Sequence, residues 1–221
     1  MQDKLFAFDF DGVICDSALE TGLSGWKVAA SLWPDMPDNM PDAILQQFRQ
    51  VRPVMETGYE AILICRLLFE KQSTDTMLCD FSGQIQQLIS REKLDIADLK
   101  QQFGAYRDNW IAEDFPGWVN MNPLYPDIAT LLNQIPSSRL VIITTKQERF
   151  VRAILQANQI ELDPEQIYGL DRKLKKPQIL EDLQQSHPAA TILFVEDRLP
   201  TLLDVSQTPS LSAVKLFFAN W

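Results

Sequence analysis

The chain has 221 residues, 46% hydrophobic and 23% charged, with 20 lysines and arginines against 30 aspartates and glutamates for a net charge of −10. That length and composition fit an ordinary globular protein of one large domain or two modest ones. The acidic balance argues against general nucleic-acid binding, which needs basic patches to displace counterions, and an anionic ligand must find positive charge locally, in a metal or a few lysines.

Residues 4–8 are short, apolar and aromatic and predict a strand buried on both faces. Asp9 falls at its C-terminal end, and Asp11, two residues on, projects to the same side. A buried strand gains nothing from an acid at its tip unless something cationic or reactive meets it there. Gly12 lets the backbone turn just after the pair. From Asp16 to about Met121 the periodicity is helical, clearest over 43–49, 60–70 and 85–92, with Pro34, Pro37, Pro41 and Pro53 as punctuation and Asp42 and Thr57 as expected helix N-caps. Residues 120–123 read as a linker.

A different rhythm follows. Helices are predicted over 126–135 (Pro126 in the first turn), 148–157, 177–185 and 200–205, and strands over 140–143, 167–170, 192–195 and 214–218. Strands alternating with helices of this length imply βαβ units. The fold class is therefore α/β, a Rossmann-like parallel sheet flanked by helices, with an all-helical domain inserted after the first strand. The core is assigned to 1–16 and 122–221 and the insertion to 17–121.

In an open parallel sheet, ligands bind beyond the carboxyl ends of the strands. Those ends carry Asp9 and Asp11, then Thr144, Thr145 and Lys146, then the run from Asp171 to Pro177 with its lysines, then Glu196, Asp197 and Arg198. Carboxylates, hydroxyls and lysines converging on one crevice suit a magnesium ion with a phosphate beside it, since Mg²⁺ takes hard oxygen ligands and a phosphoryl group needs donors. Bland readings stand beside this one. Acids at strand ends also serve as turn or cap residues, Thr144 could cap the following helix, and Lys173–Lys176 could be a solvated basic run.

Taken together, these motifs resemble the haloacid dehalogenase (HAD) superfamily, in its phosphatase-like branch with a helical cap, which includes phosphoglycolate phosphatases and β-phosphoglucomutases. Asp9-Phe10-Asp11-Gly12-Val13 with Asp16-Ser17 is similar to the family's first motif and Ile142-Ile143-Thr144 to its second. Lys176-Pro177 is similar to the third and Glu196-Asp197 to the fourth, and Leu124-Tyr125-Pro126 resembles the return from cap to core. The resemblance implies that Asp9 is a nucleophile forming an aspartyl-phosphate and that Asp11 protonates the leaving oxygen and then activates water. It further implies that Thr144 and Lys176 hold the phosphoryl group, with Thr145 alongside. Mg²⁺ would be held by Asp9, the Asp11 carbonyl and Asp197, with Glu196 the alternative acid of that pair. Dehalogenases of the superfamily lack an acid at position 11, so Asp11 points to phosphoryl transfer. Thr201 stands where many relatives carry a second acid, and Thr145 where many carry Asn.

The expected activity is Mg²⁺-dependent hydrolysis of a small phosphorylated metabolite, with the cap excluding water and reading the leaving group. A sugar phosphomutase with the same motifs is the first alternative, and a non-hydrolytic binding or regulatory module that keeps the fold is the second. Arg49 and Arg52 are candidates for a second anionic group of the substrate; His187 is expected on the surface, and Trp110 and Trp118 in the cap core or at its border. Cys15, Cys65 and Cys79 fit no zinc spacing and cannot all pair, and no leader or membrane span is evident. The expectation is a cytoplasmic protein with reduced thiols and no membrane or nucleic-acid partner, its oligomeric state open.

Overall fold

The structure, a computed structural model, describes residues 3–220. In chain order its elements are β1 (Asp3–Phe8), α1 (Ala18–Leu32), α2 (Asp42–Val51), α3 (Glu60–Phe69), α4 (Thr74–Cys79), α5 (Phe81–Glu92), α6 (Ile96–Asn120), α7 (Ile128–Gln134), β2 (Leu140–Ile143), α8 (Glu148–Ala157), β3 (Ile167–Tyr168), α9 (Lys176–Ser186), β4 (Ala190–Glu196), α10 (Leu199–Gln207) and β5 (Lys215–Phe218). The chain forms two compact units, one made of the stretch up to Asp16 and the stretch from Pro123, the other of Ser17–Asn122. No helix among the described residues is long and apolar enough to cross a membrane.

The first unit is an α/β layer structure around a five-stranded sheet in the order β3-β2-β1-β4-β5, with every pairing parallel. Its central strand is the one the apolar run at residues 4–8 predicts. Phe8 lies level with Ile142 on one side and Val195 on the other, which brings the ends of β1, β2 and β4 to one edge. Alternate residues of the strands, Leu5, Ala7, Val141, Ile143, Ile192 and Phe194, pack beneath α9 and α10. The right-handed crossover rule sends α8 to the opposite face, where Phe150, Val151 and Ile154 are buried. β5 is an edge strand whose Phe217 and Phe218 are both about half exposed.

Several boundaries differ from the sequence expectation for local reasons. β3 ends at Tyr168, because Gly169 and a 3-10 turn over Leu170–Arg172 take the chain off the sheet. β4 runs on through Glu196, making that acid a strand residue rather than a loop residue. Pro126 precedes α7 instead of lying in its first turn, since Asp127 takes a left-handed conformation (φ 62°) before the helix begins. Asp42 is the first residue of α2, with Pro41 at the cap position. Thr57 does not cap α3 either: the Glu60 carboxylate accepts the Glu56 and Thr57 N–H groups, satisfying the approach from inside the helix.

The helical unit packs around Trp26, Phe48, Ile62, Leu63, Leu68 and Phe103. α6 has too sparse an apolar pattern to stand out in the sequence, and it breaks at Asp114 (φ −147°, ψ 70°), two residues before Pro116. α1 and α6 are tied by an ion pair sealed from water. Arg107 reaches Glu20 with Nε at 2.7 Å and Nη2 at 2.5 Å, and Ser24 Oγ donates to the same carboxylate at 2.7 Å. The Arg107 guanidinium also lies 4.2 Å from the Phe103 ring centre. Trp118 is buried with its indole N–H toward Glu20, and Trp110 packs edge-on against Tyr106, so both tryptophans belong to the interior or flank of this unit. Among the described residues the cysteines form no disulfide.

Candidate active site

The tip of β1 continues the sheet for one residue: the Asp9 N–H donates to the Val195 carbonyl at 2.9 Å. The Asp9 side chain then turns into the crevice, where Oδ1 accepts the Phe10 N–H at 2.7 Å and lies 3.1 Å from Lys176 Nζ. Burial pushes the Asp9 carboxyl up to about 7; Lys176 opposes the rise, Glu196 and Asp11 add to it, and the Phe10 N–H offsets a little.

The loop after Asp9 is wound tightly, with the Ile14 and Cys15 N–H groups both donating to the Phe10 carbonyl and the Gly12 N–H to Cys15. Gly12 sits at φ +84°, and a Cβ there would lie 2.0 Å from Asp197 Oδ2. Glycine is needed twice over, for the left-handed turn and for the approach of Asp197 across the loop. Gly12→Ala is expected to cost about 1–2 kcal/mol of stability from the backbone conformation alone. It also displaces Asp197. Chemical denaturation reads the first effect, and an unchanged midpoint would contradict it.

Lys176 is the first residue of α9 and bridges two acids, Glu196 Oε2 at 2.7 Å and Asp9 Oδ1 at 3.1 Å. Its burial works to lower the ammonium pKa, but Asp9 and Glu196 outweigh that and the net shift is upward. Glu196 is fully buried, and its other oxygen accepts the Arg198 N–H at 3.0 Å. Carboxylate oxygens of Asp9, Glu196 and Asp197 lie within 4.8 Å of one another. This donor set fits a hard divalent cation. Within it Glu196 already serves Lys176 and Arg198, whereas Asp197 leans over Gly12 from the more open side. Glu196 is thus the counter-ion of Lys176, and Asp197 is the less buried acid of the pair.

At the end of β2, Thr144 is buried, its N–H donates to Tyr168 and its Oγ1 accepts the Lys146 N–H at 3.1 Å. It is not the cap of α8, a position held by Gln147. Thr145 is half-buried beside it. The Asp11 carboxylate is not one of the three clustered acids: its Oδ1 lies 2.8 Å from Lys146 Nζ. Lys146 is the site residue that the sequence reading leaves without a role. Its place directly after Thr144-Thr145 is the only sequence signal, and a lysine there reads as exposed by default.

Solved structures share this architecture over nearly the whole chain. A Lactobacillus plantarum protein proposed to be a phosphoglycolate phosphatase superposes with a TM-score of 0.58 at 17% identity, covering 99% of this chain and 87% of its own. A predicted phosphoglycolate phosphatase from Haemophilus somnus gives 0.54 at 18% identity, covering 89% and 78%. A HAD-superfamily hydrolase of subfamily IA, variant 1, from Geobacter sulfurreducens gives 0.53 at 13% identity, covering 97% and 86%. The chain has the HAD fold. No protein-family model matches the sequence, and no curated protein is significantly similar to it.

Within the HAD fold the strand-end residues divide cleanly. Asp9, Lys176, Glu196 and Asp197 form one set of contacts and Asp11, Lys146 and Thr144 another, whereas Lys173 and Lys175 are exposed on the approach to α9. Arg172 turns away to Glu148 (2.9 Å) and the Tyr168 ring. Thr201 is half-buried in the first turn of α10, and His187 ends α9 with its ring near Ser186 and the Leu183 carbonyl. Arg49 and Arg52 belong to the helical unit, the first exposed at the end of α2 and the second half-buried in the following turn.

Proposed function

We infer that this protein is a Mg²⁺-dependent phosphatase acting on small phosphorylated metabolites. The observation that carries the reading is Asp9 itself, a buried carboxyl at the tip of the central strand, held by Lys176 and flanked by Asp197. Oδ1 is engaged by the Phe10 N–H and Lys176, and in this reading Oδ2 is the attacking oxygen. That oxygen bonds to phosphorus as the ester P–O bond breaks, giving an aspartyl-phosphate on Asp9, and Asp11 gives the leaving oxygen its proton. Asp11 then takes a proton from water as that water attacks phosphorus, and the P–O bond to Asp9 breaks to free phosphate and restore the carboxylate.

Thr144 accepts the Lys146 N–H and in this reading gives its own O–H to a phosphoryl oxygen, and Lys176 carries positive charge to the same group. Asp9, Asp197 and the Asp11 carbonyl are the groups that would hold Mg²⁺, which when bound offsets the repulsion between carboxylate and phosphoryl oxygens. The helical unit, leaving the core after Asp16 and returning at Pro123, is assigned the choice of leaving group.

Phosphate release from a panel of phosphorylated metabolites, with Mg²⁺ and with chelator, tests the reading. Turnover is expected on at least one small phosphomonoester and should vanish with the cation. No cation-dependent turnover on any member would remove the phosphatase reading, and isomerisation of a sugar phosphate without free phosphate would replace it by a mutase.

A further inference from the structure

We propose that Lys146 is a positioning residue that reserves Asp11 for proton transfer, holding its carboxylate apart from the acids that take the cation. This rests on the reading of Asp11 as proton carrier. Each acid of the Asp9–Asp11 pair has its own lysine: Lys176 for Asp9 at 3.1 Å, Lys146 for Asp11 at 2.8 Å. The two lysines arrive from different elements, one opening α9 and the other in the turn between β2 and α8.

Lys146 is built into place. Its N–H donates to Thr144 Oγ1, and its carbonyl accepts the Leu170 N–H at 3.0 Å, tying the end of β2 to the turn after β3. That second bond requires a glycine at 169, where a Cβ would come within 2.8 Å of the Lys146 carbonyl oxygen. Glu148 braces the same turn by accepting the Gly169 N–H and Arg172 Nε. The Lys146 side chain is only 1% exposed, with its ammonium near the Phe10 ring and directed at Asp11. A buried ammonium is tolerated only against a partner charge, so a long, flexible side chain is fixed here to one carboxylate.

The consequence follows from what surrounds Asp11. Asp9, Glu196 and Asp197 gather within 4.8 Å, and a fourth carboxylate on the next turn of chain would be drawn to any cation they hold. The 2.8 Å contact with Lys146 opposes that movement and so leaves Asp11 to the proton-carrying role.

Lys146→Met in the full chain keeps the apolar stem and removes the charge. Turnover of glycerol phosphate or of the best panel substrate is expected to fall about 100-fold in kcat, the scale of lost acid–base catalysis, with KM within about twofold. Calorimetry with Mg²⁺ alone is expected to show affinity raised roughly fivefold as Asp11 joins the cation site. The beryllofluoride adduct on Asp9, followed by fluorine NMR, should still form. Lys146→Arg, which keeps a donor on Asp11, should recover kcat to within about tenfold of wild type. If Lys146→Met does not fold, the charge-balanced pair Asp11→Asn/Lys146→Met carries the test and should match Asp11→Asn alone, since the two residues act as a unit. Unchanged kcat, unchanged or weaker Mg²⁺ binding, a lost adduct, or a double variant far below Asp11→Asn each overturns the role of Lys146 while leaving the phosphatase reading intact. Phosphate release that survives Asp9→Asn overturns both.

Discussion

Asp9→Asn is expected to abolish phosphate release, by on the order of 10⁵-fold or more, because the attacking oxygen is replaced by an amide that cannot form the covalent intermediate. The beryllofluoride adduct should disappear with it. The fold should survive, since the amide is nearly isosteric, its oxygen can still accept the Phe10 N–H, and Lys176 keeps Glu196 at 2.7 Å. Stability supplies an independent check. Burial pushes the Asp9 carboxyl up to about 7 in the folded protein, from the ordinary 3.8 of the unfolded chain. Its contribution is therefore fully present below pH 3.8 and is lost as pH rises through about 7. Without divalent cation, the wild type should lose stability relative to Asp9→Asn across that window, by on the order of a few kcal/mol. Urea midpoints of the two proteins at several pH values measure the difference. Parallel pH profiles would show that Asp9 is not the strained acid described above.

Arg107→Met should produce the largest loss of stability in the helical unit, about 3–5 kcal/mol, the cost of leaving a buried charge without its partner. Glu20 is completely buried and receives both arms of Arg107, so removing the guanidinium leaves a buried carboxylate without its partner charge. The double substitution Glu20→Leu/Arg107→Met should recover most of that loss, because two apolar side chains need no compensation. Equilibrium unfolding of both variants, read by tryptophan fluorescence and far-ultraviolet dichroism, measures the coupling. Equal destabilisation by the single and double variants would show that packing on Phe103, rather than charge pairing, is what Arg107 supplies.

Much of the core was legible because buried parallel strands are written as short apolar runs and the acids at their ends break that pattern. Residues 4–8, 140–143 and 192–195 mark three of the five strands to within two residues, and Asp9, Thr144 and Asp197 follow from them. The ends of elements were harder, since they depend on single contacts. Gly169 cuts β3 short beside the Lys146 carbonyl, and the pairing of Glu196 with Phe218 carries β4 one residue beyond the predicted strand. In the helical unit, α6 was not distinguished because its apolar residues are sparse and Pro116 argues against a helix that continues.

The sequence alone determined the α/β class and marked the strand ends that carry carboxylates, hydroxyls and lysines, because hydrophobic period and strand-end chemistry are local properties. Only the tertiary structure decided how those groups divide their work. It paired Lys176 with Asp9 and Glu196, gave Asp197 the open side of the acidic cluster over Gly12, and buried Lys146 against Asp11. The physical reason is that a lysine's partner is set by which carboxylate lies within reach once water is excluded. That choice depends on strand register and on turns far apart in the chain, and no spacing along the sequence records it.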